Sequence, residues 1–253
     1  MNILVANSRG VDLHNLIKDE VVERGGLTTK IVSGGTYQEL VTDAKLLIPP
    51  PGHSPSPPHV YLMAGIPDIT KLIKEYKFGK SYKEVILENE EKIFDNIKLA
   101  IDKASNDIRE AGAKPIFCTI TNMHIATYNH FMLDQNWTHT LLHTHKYEAM
   151  QTKLDEIIQN TNDYIHNHNK QTHTATPHCH SAIRKHRGRA RAGYYFIDYT
   201  GLYDGLHGNI KTKELWAKAI KSAIKKNYDN FCEDTPSSPK RSWRGEKRRI
   251  HQL

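Results

Sequence analysis

Cysteine is scarce in this 253-residue chain: Cys118, Cys179 and Cys232 are far apart and odd in number. That excludes a disulfide framework and suits a reducing compartment. No apolar run approaches the roughly 20 residues needed to span a bilayer. The N-terminus, Met-Asn-Ile-Leu-Val-Ala-Asn-Ser, has no basic stretch ahead of a longer apolar one, so it reads as a first strand, not a signal peptide. These absences point to an intracellular protein, cytoplasmic or nuclear. No internal repeat is visible. Histidine is abundant, but the run His166, His168, His173, His178, Cys179, His180 and His186 lacks the paired spacing of structural zinc sites, as do His139, His143 and His145. Asn, Gln and Thr surround them, the composition of a solvated loop. The sequence implies neither a metal nor a cofactor.

What is present fits a globular α/β protein. Hydrophobic residues make up 38% and charged residues 25%, and the net charge is +7. The positive charge is localised. Arg184, Lys185, Arg187, Arg189 and Arg191 form one cluster, and Lys240, Arg241, Arg244, Lys247, Arg248 and Arg249 form another. Both can contact nucleic-acid phosphates, and the second resembles a nuclear-localisation pattern; a solubilising tail explains it equally well. Composition divides the chain into a domain over 1–230, with a proline-rich connector at 49–58 and a His- and Arg-rich mobile loop at 167–193, and a basic disordered tail over 231–253.

Apolar pattern predicts strands at 2–6, 28–32, 60–64, 115–120 and 194–199. Helices are expected over 11–24, 37–47, 82–111, 146–166 and 212–228, the third carrying Ile86, Ile93, Ile97, Ala100, Ala104, Ile108 and Ala111 as one stripe. The segment 121–145 has no clean period and reads as a long loop with short helical pieces. Strands alternating with helices imply a five-stranded parallel sheet with helices on both faces, a three-layer α/β/α sandwich. Sites in such sheets lie beyond the carboxyl ends of the strands. That rule selects the loops holding Ser8, Gly34 and Gly35, Gly65 to Asp68, and Asp204 with His207.

Ser8, His207 and Asp204 are the residue types of a nucleophile, a general base and the carboxylate that orients it. The backbone N–H groups of Ser8 and of Gly34 or Gly35 suit an oxyanion hole. Each motif alone has a plainer reading. Asp-x-x-His also forms a turn with a capping histidine, Ser8 can cap a helix, and Pro67-Asp68 can start one.

Taken together, the blocks resemble the SGNH/GDSL hydrolase superfamily, whose fold is flavodoxin-like. The resemblance rests on Ile3 to Gly10 with Ser8, on Ser33 to Leu40 with its glycines, on Gly-Ile-Pro-Asp-Ile at 65–69, and on Asp-Gly-Leu-His at 204–207. It implies an esterase that removes an acyl or acetyl group through an acyl-serine, acting on an ester- or acyl-bearing substrate. Two departures are visible. The family's Gly-Asp before the serine is Ala6-Asn7, and its oxyanion asparagine falls on Pro67, which has no donor. Losing one such donor typically costs on the order of 10²–10³ in rate; Asn7 or Asn122 are possible substitutes. The competing class is a catalytically weak or inactive protein of this fold that binds nucleic acid through its basic loop and tail. Members of the superfamily with basic extensions occur in retroelement and other mobile or viral genes, and this chain is similar to them. Oligomeric state is not legible.

Overall fold

The structure, a computed structural model, describes residues 1–50, 52–53, 56–77, 80–87, 92–134, 144–188 and 194–234. The expected tail lies outside them, apart from the end of the last helix. Strand β1 (Asn2–Ala6) leads through a 3-10 turn at Ser8–Gly10 into α1 (Leu13–Ile17), a second 3-10 segment and β2 (Leu27–Ile31). Next come α2 (Tyr37–Leu47), β3 (His59–Met63), α3 (Ile66–Ile69), and the strands β4 (Thr70–Lys77) and β5 (Lys80–Leu87). Then follow α4 (Ile93–Glu110), β6 (Lys114–Phe117), α5 (Ile125–Asp134) and α6 (Thr144–Gln171). The hairpin strands β7 (Arg184–Arg187) and β8 (Tyr194–Ile197) precede α7 (Ile210–Asp234).

Among the described residues the main sheet has four parallel strands, in the order β2-β1-β3-β6. Successive side chains of a strand point to opposite faces, and the core divides accordingly. Ile3, Val5, Val60, Leu62 and Phe117 pack with residues of α2, α4 and α6. Leu4, Ala6, Tyr61, Met63 and Ile116 pack with α1 and α7, where Trp216 is fully buried. Near-continuous apolar strands are what a sheet covered on both faces requires.

Three expectations fail. The expected fifth strand, Tyr194–Ile197, pairs antiparallel with Arg184–Arg187 in a separate sheet. The reason lies at the edge of β6. There the Asn169 amide donates to Phe117 O (2.8 Å) and accepts from Phe117 N (3.1 Å). Asn162 does the same for Ile120, at 2.9 and 2.6 Å. Side chains of α6 thus satisfy the backbone groups that an added strand would use. The helix expected over 82–111 is likewise split. Its first part is β5, paired along its length with β4, and the helix begins at Ile93. Local periodicity yields here to pairing with a strand 3 to 17 residues back in the sequence, which the pattern does not reveal. Part of the segment 167–193, expected to be mobile, is instead docked: Cys179, Ala182 and Ile183 are buried against α7, while 189–193 lie outside the described residues.

Candidate active site

The carboxyl end of β1 sets the first residue in place. Asn7 N–H donates to Met63 O on β3 (3.0 Å), and Asn7 Oδ1 accepts from Arg9 N–H (3.1 Å). Asn7 is therefore the cap of the 3-10 turn. The Ser8 hydroxyl is left for another partner.

That partner is His207. Its Nε2 lies 2.9 Å from Ser8 Oγ and its Nδ1 lies 2.5 Å from Asp204 Oδ2. Asp204 is 2% exposed, and its Oδ1 accepts from the N–H groups of Leu206 (2.8 Å) and His207 (2.6 Å). Burial alone would raise the Asp204 pKa. The His207 imidazole and these two N–H groups outweigh it and hold the carboxyl below the usual range. A carboxylate so held stays ionised and fixes the imidazole tautomer with Nε2 toward the serine. Tyr203 stacks on the His207 ring at 5.8 Å.

The loop carrying Asp204 and His207 is held from two sides. Leu202 pairs with Gly208, and Tyr203 N–H donates to His207 O (3.0 Å). Gly205 O accepts from His124 N–H (2.7 Å), and a Cβ on Gly205 would stand 2.6 Å from His124 O and 2.7 Å from Tyr128 N. With φ at +83°, this position needs glycine on both counts.

The two glycines after β2 separate. Gly34 lines the same cavity as Ser8, and an added Cβ there would meet nothing within 4 Å. Gly35 instead donates its N–H to Val32 O (3.0 Å) and packs against Leu40, so it is no oxyanion donor. Asn122 does not line the cavity, and its Nδ2 donates to Asp155 Oδ1 (2.7 Å). Asn7 does line the cavity. Pro67 lines it too, in the first turn of α3, while Asp68 below it accepts from Tyr37 N–H at 3.2 Å with both oxygens.

Sequence reasoning passed over three features. Arg9, beside the serine, reads as a turn residue, yet it is 3% exposed and its guanidinium donates to Thr121 O and to Asn122 O (3.3 Å). Burial pushes it down to about 9, against the pull of Asp204, so it is a cation at neutral pH. A charged residue next to the serine, in the turn that ends a buried strand, was the available signal. The second feature is a network on α6. Asp155 accepts from Tyr199 Oη (2.7 Å), Asn122 Nδ2 and Gln151 Nε2 (3.0 Å), and Gln151 also holds Met123 O (2.8 Å). It fixes the 122–124 segment on which the Asp204 loop rests. The third is the cavity wall. About 550 Å³ opens in front of Ser8, walled by Ile66, Leu72, Val85, Met123 and Leu206; Leu72 and Val85 come from the β4–β5 pair, which the sequence had concealed. Of the cationic residues, Arg184, Lys185 and Arg187 lie on β7, away from this cavity. Arg189, Arg191 and the six basic residues from Lys240 to Arg249 lie outside the described residues.

The described residues form a mixed α/β fold around a parallel sheet, and that fold is similar to those of solved acylhydrolase and GDSL-like lipase structures. The chain is similar to a protein from Bacteroides fragilis described as an acylhydrolase, with a TM-score of 0.52 at 15% identity over 90% of this chain and 87% of that one. It is similar also to a GDSL-like lipase from Bacteroides thetaiotaomicron, with a TM-score of 0.51 at 16% identity over 89% and 87% of the two chains. No family model matches the sequence, and no curated protein does. No helix among the described residues is long and apolar enough to cross a membrane.

Proposed function

We propose that residues 1–230 form a serine ester hydrolase in which Ser8 is the nucleophile, His207 the general base and Asp204 its orienter. The observation that carries this is the hydrogen-bonded series Asp204–His207–Ser8, at 2.5 and 2.9 Å, opening on the apolar-walled cavity. Ser8 Oγ attacks the ester carbonyl while its proton passes to His207 Nε2. The carbonyl oxygen becomes an oxyanion, received by the N–H groups of Ser8 and Gly34. Ser8 opens a 3-10 turn, where N–H groups lack partners within the helix. Asn7 Nδ2 is the third donor, in place of the donor that Pro67 lacks. Collapse breaks the ester C–O bond, and the leaving alcohol takes the proton from His207. Water, deprotonated by His207, then releases the acid and restores Ser8. The aliphatic wall suits an acyl chain longer than acetyl.

A fluorophosphonate probe tests this reading. Covalent labelling at Ser8 that disappears in His207→Ala is expected. Absence of label on the folded protein, or label unchanged by that substitution, overturns it.

A further inference from the structure

The β7–β8 hairpin is unusual in what it exposes. All four residues of β7 are exposed, and so are Tyr194 (58%), Tyr195 (62%) and Phe196 (41%) on β8. The register places Lys185 opposite Phe196 and Arg187 opposite Tyr194 on one face, and Arg184 and His186 with Tyr195 on the other. Each face therefore carries cations beside aromatic rings. Arg184 sits over the Tyr195 ring at 4.7 Å, His186 meets it at 5.0 Å, and Tyr194 and Phe196 lie 6.4 Å apart. Neither strand contains an acidic residue. Asp198, just beyond, is engaged in capping Thr200 at 3.1 Å.

The positive surface continues below the hairpin. The rings of His180, His178 and His166 follow one another at 5.9 and 5.6 Å. His178 and His166 line a groove of about 520 Å³ whose cations are Lys170, Lys218 and Lys226, with hydroxyls from Thr174 and Ser222 and no carboxylate in its lining. Burial first, and then His166 and Lys226, hold His178 below the ordinary histidine range. Asp163, near His180, is an acid bordering this stretch.

We propose that the β7–β8 hairpin and the histidine–lysine groove beneath it bind single-stranded nucleic acid, the bases stacking on Tyr194, Tyr195 and Phe196 and the phosphates meeting Arg184, Lys185, Arg187 and the groove lysines. Exposed rings flanked by cations match a ligand that is both planar and polyanionic. A duplex hides its base faces and uses the rings poorly. A bilayer surface is flat and can meet one face of the ribbon, whereas this ribbon presents the same chemistry on both. None of these residues lines the Ser8 cavity, so the surface and the hydrolase reading stand independently.

Fluorescence anisotropy of the full chain with a labelled oligouridine of about 20 nucleotides tests the proposal, across about 50–200 mM salt. Binding should be salt-dependent and tighter than to a duplex of the same length. Each of Tyr194→Ala, Tyr195→Ala and Phe196→Ala should weaken it by about fivefold to a hundredfold. Lys185→Ala with Arg187→Ala should flatten the salt slope by roughly one unit. These side chains are exposed, and unchanged circular dichroism certifies the fold. The proposal is overturned by no oligouridine binding at about 50 mM salt, or by binding indifferent to the three aromatic substitutions. Preference for the duplex overturns it too, as does hairpin-dependent binding to phosphatidylserine vesicles without oligouridine binding.

Discussion

His207 Nε2 and Ser8 Oγ stand 2.9 Å apart although 199 residues of chain separate them. Ser8 is presented by the end of a fully buried central strand and by its Asn7 cap. His207 arrives on a loop that Gly205 seats against His124 and Tyr128. The relationship depends on both supports, and each can be perturbed alone.

Replacing Asp204 by Asn should leave the fold intact, since Asn Oδ1 still accepts from the backbone of residues 206 and 207. It presents an amide donor to His207 Nδ1, which turns the tautomer the wrong way. Turnover of p-nitrophenyl esters should fall by about 10³–10⁴-fold, with unchanged circular dichroism. A loss under tenfold in a folded variant would remove Asp204 from the proposed mechanism.

Gly205→Ala separates positioning from chemistry. The new Cβ meets backbone at 2.6 and 2.7 Å in a left-handed conformation, and strain of this kind costs about 1–3 kcal/mol. Relief requires the loop to lift. We expect turnover to fall by more than about tenfold while the protein remains folded at 25 °C, with reduced fluorophosphonate labelling as the readout.

Arg9→Leu should destabilise by about 2–4 kcal/mol, because Thr121 O and Asn122 O lose charge-assisted partners in the interior. Arg9→Lys should recover only part of this, a single ammonium being unable to span both carbonyls as the fork does. Urea unfolding measures both.

Asp68 gives a pH dependence of definite sign. Burial, opposed by the Tyr37 N–H, lifts its carboxyl from 3.8 to about 6. The folded state therefore binds a proton that the unfolded state has released. The stability it contributes is full below about pH 4 and is lost as pH rises through about 6. At 1.36 kcal/mol per pH unit the loss is at most about 3 kcal/mol. Asp68→Asn should remove it, so the variant should gain on the wild type between pH 4.5 and 7.5. His59 and His180, both lowered to about 4 chiefly by burial, titrate in the same window in both proteins. The difference between the two urea curves isolates Asp68.

Leu72, on the rim of the cavity and 45% exposed, should set acyl length. Leu72→Trp is expected to lower kcat/KM for hexanoyl esters by roughly tenfold or more, a cost of the size of one or two lost methylene sites. Acetyl esters should change little, and equal losses for both would separate Leu72 from acyl selection.

The sequence alone determined the strands β1, β2, β3 and β6 and helices such as α2, because a strand-forming run between turn residues, or a stripe at helical period, is a local property. It also placed Ser8, Gly34, Asp204 and His207 on loops, since serine, glycine and Asp-x-x-His after an apolar run mark turns. Tertiary structure decided the rest. Whether Tyr194–Ile197 joins the sheet depends on Asn162 and Asn169 occupying the β6 edge, a contact across as many as 52 residues. Whether Val85 lies in a strand or a helix depends on β4, and whether Gly35 and Asn122 face the cavity depends on Val32 and Asp155. The burial of Arg9 likewise follows from carbonyls 112 and 113 residues away. Such choices are settled by which distant backbone groups still need a partner, and a local pattern carries no record of that need.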